Sequence, residues 1–348
     1  MRTKFPDVEL IQPNDSIEFY IDELQNREKY EALTNSNTAI QNKLFNKDIE
    51  GAFEELKKLN SFFGKISVDE SITVASGFGD RVKNYLNAKK CEGKIGWQTG
   101  FEAIDKHIGG IADEYLVIMG TAGIGKTFGL LMMGKNIWMQ MDKPVFLVSN
   151  EIAPKKMGGR LDAILSQVNY SKYRKGLLSS AEEKKIAKLK EMYKVLPEFY
   201  MTNGAGKNVD DIEFEIMSID PKPGLLLVDG LYLTDMGFND EYKNTSTASR
   251  AYQRLKSKLG IPLIATTQMT DDFKTKYARA IQEDADAVLY LKQPPNFRDM
   301  KRMELIFTKI REEDSFLKLQ MNWDFDKWNF SQIKDDDEGD SDSEVVIN

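Results

Sequence analysis

The chain has 348 residues, 41% hydrophobic and 30% charged, which suits one large globular α/β domain with an appendage and excludes a fibrous or wholly disordered chain. A single cysteine, Cys91, and a single histidine, His107, exclude an intrachain disulfide, a C-x-x-C zinc site and a histidine metal cluster, and point to a reducing, cytoplasmic setting. The net charge of -7 argues against a polyanion partner only until the tail is set aside: Asp335 to Glu344 holds seven of the 55 acidic groups, leaving 48 charges of each sign for a neutral body with room for a basic groove.

No run approaches the roughly 18 apolar residues needed to cross a membrane, and Met1 to Pro6 lacks a cleavable apolar stretch. A helical N-terminal region is expected over 1–70. Ile17, Tyr20, Ile21 and Leu24, then Ile49, Phe53, Leu56, Leu59 and Phe63, recur at helical spacing, with Gly64 as a stop. Val74, Phe78, Val82 and Leu86 repeat every four residues and predict a linker helix over 71–91, against the weakening effect of Gly77 and Gly79. That stripe suits docking on another surface and packing inside its own domain equally well.

From Gly93 the pattern changes to short apolar runs between helical segments: Tyr115 to Met119, Val145 to Val148, Leu225 to Val228, Ile261 to Ala265 and Ala287 to Leu291. Buried strands alternating with helices predict an α/β domain over 92–333 with a mostly parallel twisted sheet. Met303 to Lys309 and Phe316 to Asn322 look like a closing antiparallel pair. The tail, 334–348, is expected to be disordered, since it has too little apolar surface to offset the entropy of ordering.

Gly120, Thr121, Ala122, Gly123, Ile124, Gly125, Lys126 and Thr127 fit G-x-x-x-x-G-K-S/T, and stand between the run Tyr115 to Met119 and a helical stretch opened by Phe128. Strand, loop and helix come in the order a P-loop NTPase requires. The backbone amides cradle the phosphates of a nucleotide such as ATP, Lys126 places a charge on the β and γ groups, and Thr127 offers a hydroxyl to Mg²⁺. Asp229 ends the run Leu225 to Val228 and is the expected second Mg²⁺ contact, its alternative being to open a turn before Gly230. Glu151, directly after Val145 to Asn150, is placed to activate the attacking water or else to cap the helix near Pro154. Gln268, after Ile261 to Thr267, is either a γ-phosphate sensor or an ordinary loop amide.

Taken together these residues resemble the C-terminal motor domain of DnaB-type replicative helicases, which are hexameric RecA-like ATPases. The resemblance rests on Thr99-Gly100-Phe101 with Ile104-Asp105 and Gly109-Gly110, on Ser149-Asn150-Glu151-Ile152, and on Arg174-Lys-Gly176 with Leu178-Ser179. Val228-Asp229-Gly-Leu231, Gly260-Ile-Pro262 running to Gln268, and Ile281-Gln-Glu-Asp284-Ala285-Asp286 continue it in the family's order. It covers about residues 73–333 and, more faintly, 15–63. It implies that Glu151 is the catalytic glutamate, that Lys309 and Arg311 reach into a neighbouring subunit's nucleotide, Arg311 as an arginine finger, and that Arg160 lies against the adenine. The linker stripe would then dock on the adjacent subunit.

The chain departs from that family in lacking most of the globular N-terminal domain, in a short segment after Gln268, and in Gly230, where an aromatic is usual. The short form resembles phage or mobile-element helicases. A translocating homo-hexamer must hold single-stranded DNA by its backbone, and two loops suit that task. One is Asp235 to Ser246; the other is Thr270 to Ala280, whose Lys274, Lys276 and Arg279 stand where the family binds DNA phosphate. The resemblance therefore implies a motor on single-stranded and forked DNA, with primase, helicase loader and single-strand binding protein as candidate partners. A RecA/RadA-like recombinase and a non-unwinding ATP-dependent scaffold remain the competing expectations.

Overall fold

A computed structural model describes residues 17–65, 74–75, 77–269, 281–311, 317–326 and 328–333. Lys274, Lys276 and Arg279, the start of the expected linker helix at 71–73, and the acidic tail lie outside these residues. The chain divides into two compact units, Met1–Ile72 and Thr73–Asn348. In the first, α1 (Ile17–Phe45) and α2 (Ile49–Lys65) are joined by a tight turn in which Lys43 pairs with Asp48 at 2.9 Å.

The second unit opens with α3 (Phe78–Lys90), which Arg81 ties to the preceding turn by donating to the carbonyl of Val74 at 2.6 Å. None of its side chains is buried, and Val74, Phe78, Val82 and Leu86 are all exposed. After α4 (Glu102–Ile108) the chain alternates strands and helices: β1 (Tyr115–Gly120), α5 (Lys126–Trp138), β2 (Val145–Ser149), α6 (Pro154–Ser166), α7 (Tyr170–Lys175) and α8 (Ser180–Met192). It continues through β3 (Phe199–Asn203), α9 (Val209–Met217), β4 (Leu225–Asp229), α10 (Glu241–Leu259), β5 (Leu263–Gln268) and β6 (Ala287–Lys292). The strands β7 (Arg302–Ile310) and β8 (Lys318–Asn322) close it.

The eight strands among the described residues form one sheet in the order β3-β2-β4-β5-β1-β6-β7-β8. The first six are mutually parallel, and β7 and β8 add an antiparallel edge. Every residue of β1, β2 and β4 is buried, which explains their unbroken apolar runs: both faces of a parallel sheet are covered by crossover helices. Alternate side chains feed opposite faces. Leu116 and Ile118 join Leu130, Ile137 and Leu227 on one side, while Tyr115, Val117 and Met119 join Ile212, Tyr252 and Leu255 on the other.

Two strands differ from expectation. β5 begins at Leu263, not Ile261, because Gly260 caps α10 in a left-handed conformation and Pro262 has no N–H to give. The strand β3, half-buried at the sheet edge, has no counterpart among the expected strands. Six parallel strands in this order leave a crevice beyond their carboxyl ends, where ligands of open α/β sheets bind.

Candidate active site

The ends of β1, β5, β4 and β2 lie side by side at that crevice, with Gly120 opposite Gln268 and Ser149 opposite Asp229. Each strand contributes one part of the site. Beyond β1 the loop turns into α5 at Gly125, whose φ of 107° is open to glycine and strained for other residues. The first amides of α5 have no partner within their helix and point, with its positive end, toward the crevice. Lys126 is buried, and its Nζ donates to the carbonyls of Gly120 at 3.0 Å and Thr121 at 2.8 Å. Burial lowers its pKa, an effect opposed by the nearby carboxylates of Glu151 and Asp229. The ammonium is thus held inside the phosphate loop by acceptors that a phosphate oxygen can replace.

Asp229 is fully buried at the tip of β4. Thr127 donates its hydroxyl to Asp229 Oδ1 at 2.9 Å, with Oδ2 at 3.2 Å, and Thr266 donates to Oδ1 at 2.9 Å. Burial raises the Asp229 pKa, and the two threonine hydroxyls only partly offset it. A buried carboxylate beside a hydroxyl is a hard-oxygen pair that fits Mg²⁺, which keeps waters and takes one or two carboxylates. Among the described residues no group of three His, Cys, Asp or Glu side chains is assembled, and magnesium needs none. Sequence reading assigns no role to Thr266; its hydroxyl, which also accepts from Gly230 N at 2.8 Å, is brought under Asp229 by the β4–β5 pairing.

Glu151 follows β2 and reaches across the end of β4. Asn150 anchors the crossing: its backbone N donates to the Asp229 carbonyl at 3.0 Å and its Nδ2 to the Gly230 carbonyl, also at 3.0 Å. The cap of α6 is Ala153, and no side chain, Glu151 included, hydrogen-bonds there. Glu151 Oε1 instead accepts from the Tyr232 hydroxyl at 3.0 Å, and the same hydroxyl lies 3.0 Å from Gln268 Oε1. Tyr232 carries no signal in the sequence. Gly230 has φ 80°, and a Cβ added to it would stand 2.9 Å from Glu151 Cγ. A larger residue would push the glutamate away.

Arg160 and Phe128 lie to one side of the phosphate loop. They line a cavity of about 290 Å³ together with Tyr170, Val168, Phe325 and Trp328. The Arg160 guanidinium sits 5.6 Å from the centre of the Tyr170 ring, and Phe128 meets Phe325 edge-on at 4.0 Å.

Lys309 and Arg311 are not brought to this crevice. Antiparallel β7 carries them to the opposite end of the sheet, where Ile310 faces Ala287 at the start of β6. The six residues of β1 separate that end from the phosphate loop, about 20 Å at ~3.3 Å per residue. No arginine side chain spans that distance. Arg311 pairs with Asp286 at 2.8 Å, and Lys309 Nζ donates to the Gln282 carbonyl, its pKa lowered by burial and then by Arg311. Of the expected loop Asp235 to Ser246, only Asp235 to Asp240 is irregular chain: Asp240 caps α10 by accepting from the Lys243 backbone N–H, so Glu241 to Ser246 form the first turns of that helix, and Lys243 covers the Phe238 ring at 4.2 Å.

The profile of the family described as DnaB-like helicase C terminal domain matches residues 96–332. The replicative DNA helicase DnaB of Pasteurella multocida is 25% identical over 254 residues, 67% of this chain and 54% of that protein. The one from Haemophilus influenzae is 24% identical, over 60% of this chain and 48% of that protein. The chain thus spans about half the length of these relatives. Among solved structures, one described as an ATPase domain superposes with a TM-score of 0.65 at 19% identity, over 77% of this chain and all of that one. A DnaB-like replicative helicase, described with its interactions with primase, gives 0.63 at 18% identity, over 93% of this chain and 81% of that one. These likenesses establish a RecA-like ATPase fold.

Proposed function

This chain belongs to the family of DnaB-like helicase C-terminal domains, and on that premise we propose that it is a replicative DNA helicase, a ring-forming motor that hydrolyses ATP to move along single-stranded DNA and open duplex forks. The observation that carries this reading is the grouping of Lys126, Thr127, Asp229 and Glu151 at adjoining strand ends. The Gly120–Thr127 loop and Lys126 bind the β and γ phosphates. Thr127 and Asp229 would hold Mg²⁺, which when bound offsets charge developing on the phosphoryl oxygens. Glu151 orients the attacking water and takes its proton, while Gln268 senses the γ-phosphate. The cavity walled by Arg160 and Phe128 receives the adenine.

Lys309 and Arg311, too remote to serve their own chain's nucleotide, act on the neighbour's within a homo-hexamer. The exposed stripe of α3 docks on the adjacent subunit as a linker helix. DNA phosphates are held by the segment Asp235 to Ser246, a loop running into the first turns of α10, and by Lys274, Lys276 and Arg279. Primase, a helicase loader and single-strand binding protein are the partners this role brings, in the cytoplasm; no described helix is long and apolar enough to cross a membrane. The test is Mg-ATP turnover by the full chain beside Lys126→Ala, with the particles imaged by electron microscopy. Turnover abolished by the substitution, in closed rings, supports the proposal, and helical filaments or turnover indifferent to Lys126 overturn it.

A further inference from the structure

Tyr232 is absorbed by none of the roles above, yet it touches two of the groups proposed to act on the γ-phosphate and its attacking water. It sits on a single 3-10 turn, Leu231–Leu233, directly behind Asp229 and Gly230. Both ends of that turn are pinned. Gly230 N donates to Thr266, the Gly230 carbonyl accepts from Asn150, and Asn150 Nδ2 lies 3.4 Å from the Thr234 hydroxyl. The glycine at 230 removes the Cβ that would collide with Glu151. The phenol is thereby delivered to within 3.0 Å of both Glu151 Oε1 and Gln268 Oε1.

A phenol has one proton and cannot donate to both oxygens at once. The carboxylate has no hydrogen to offer, so Tyr232 donates to Glu151. The contact to Gln268 becomes favourable when the amide presents its NH₂ to the phenol oxygen, an orientation that swaps chemically similar atoms. A chain Gln268 NH₂ to Tyr232 OH to Glu151 Oε1 results. Burial, then the hydrogen bond and charge of Glu151, push the Tyr232 pKa up to about 12, so the phenol keeps its proton at neutral pH. Tyr232 and Gln268 also border a cavity of about 590 Å³ with Asp235, Phe238 and Asn244, the residues of the proposed DNA loop and of α10 behind it.

We infer that Tyr232 is a positioning residue: its hydroxyl fixes the Glu151 carboxylate with Oε2 left for water, and links that orientation to Gln268. The inference rests on the ATPase reading of Glu151. The test is steady-state ATP turnover by the full chain, with mant-ADP binding in parallel, for wild type, Tyr232→Phe, Glu151→Gln and the double variant. Phenylalanine keeps the ring and removes only the hydroxyl. The expected result is a fall in kcat of about tenfold, the scale of one lost hydrogen bond to a charged group, with KM for ATP and mant-ADP affinity within about twofold of wild type. In the Glu151→Gln background the same substitution should change residual turnover by less than about twofold, since the group being positioned is gone.

An unchanged kcat in Tyr232→Phe overturns the inference. So does a fall in which KM and mant-ADP affinity shift together and the loss persists beside Glu151→Gln, which marks a structural role. Wild-type chain that turns over no ATP at all would instead sink the ATPase reading, and Tyr232 with it.

Discussion

Replacing Asp229 by asparagine should make the nucleotide-free protein more stable while destroying its turnover. Oδ1 of Asp229 accepts from Thr266 and Thr127, both at 2.9 Å, and an asparagine Oδ1 can accept from the same two hydroxyls. The other oxygen, 3.2 Å from Thr127, becomes an NH₂ that donates to that hydroxyl. The substitution therefore removes a buried charge and leaves the hydrogen bonds in place. Burial raises the folded-state pKa of Asp229 above its unfolded value of about 3.9. A raised pKa means that the penalty is absent below the unfolded value, grows as pH rises through the folded value, and is complete above it. Relief of a penalty of this kind commonly stabilises by about 1 kcal/mol, or about 2–4 °C in Tm. Calorimetry in EDTA from pH 4 to 8 should show Asp229→Asn melting above wild type at pH 7 and the gap closing toward pH 4. Mg-ATP turnover should fall by about a hundredfold or more, as loss of several kcal/mol of metal-assisted stabilisation implies. A variant that melts at or below the wild-type temperature at pH 7 would refute the claim that Asp229 is held at a cost to the fold.

Gly230→Ala meets both a left-handed backbone and the Glu151 side chain, so unfolding free energy should drop by about 1–2 kcal/mol in denaturant titrations, with turnover falling as well. An alanine variant as stable and active as wild type would contradict the close approach. Arg311→Ala and Lys126→Ala subunits should each be inactive alone, yet a mixture should recover part of the turnover, because some interfaces pair an intact loop with an intact finger. Absence of any rescue removes the trans assignment. Replacing Lys276 and Arg279 by alanine should flatten the salt dependence of single-strand binding by about 1.4 in log–log slope, at ~0.7 for each phosphate no longer neutralised, and leave DNA-independent turnover in place. An unaltered slope counts against that segment.

How much of this is legible in the sequence depends on the scale of the physics involved. The strands β1, β2 and β4 announce themselves because burial on both faces demands apolar side chains at every position. The loop from Gly120 to Thr127 is equally readable, since glycines and the Lys126-Thr127 pair follow one such strand directly. β3 escapes notice because an edge strand is only half buried, and Phe199 to Asn203 has no continuous apolar run to mark it. Thr266 and Tyr232 are invisible for another reason. A threonine inside a strand and a tyrosine after a turn are unremarkable until pairing of β4 with β5, and the turn at Gly230, bring them to Asp229 and Glu151. The reading of Gly230 as a missing aromatic also overlooks the ring two positions later, which the turn carries to the glutamate. Lys309 and Arg311 gain a role only through resemblance, because nothing local marks a strand end as meeting another subunit.

Strand displacement on polarity-marked DNA forks, with wild-type chain beside Glu151→Gln, tests the helicase reading most directly. The account predicts ATP-dependent displacement of one fork polarity by wild type and none by the glutamine variant, which should still bind nucleotide and single-stranded DNA. ATP turnover by wild type with no strand released on either fork would contradict it.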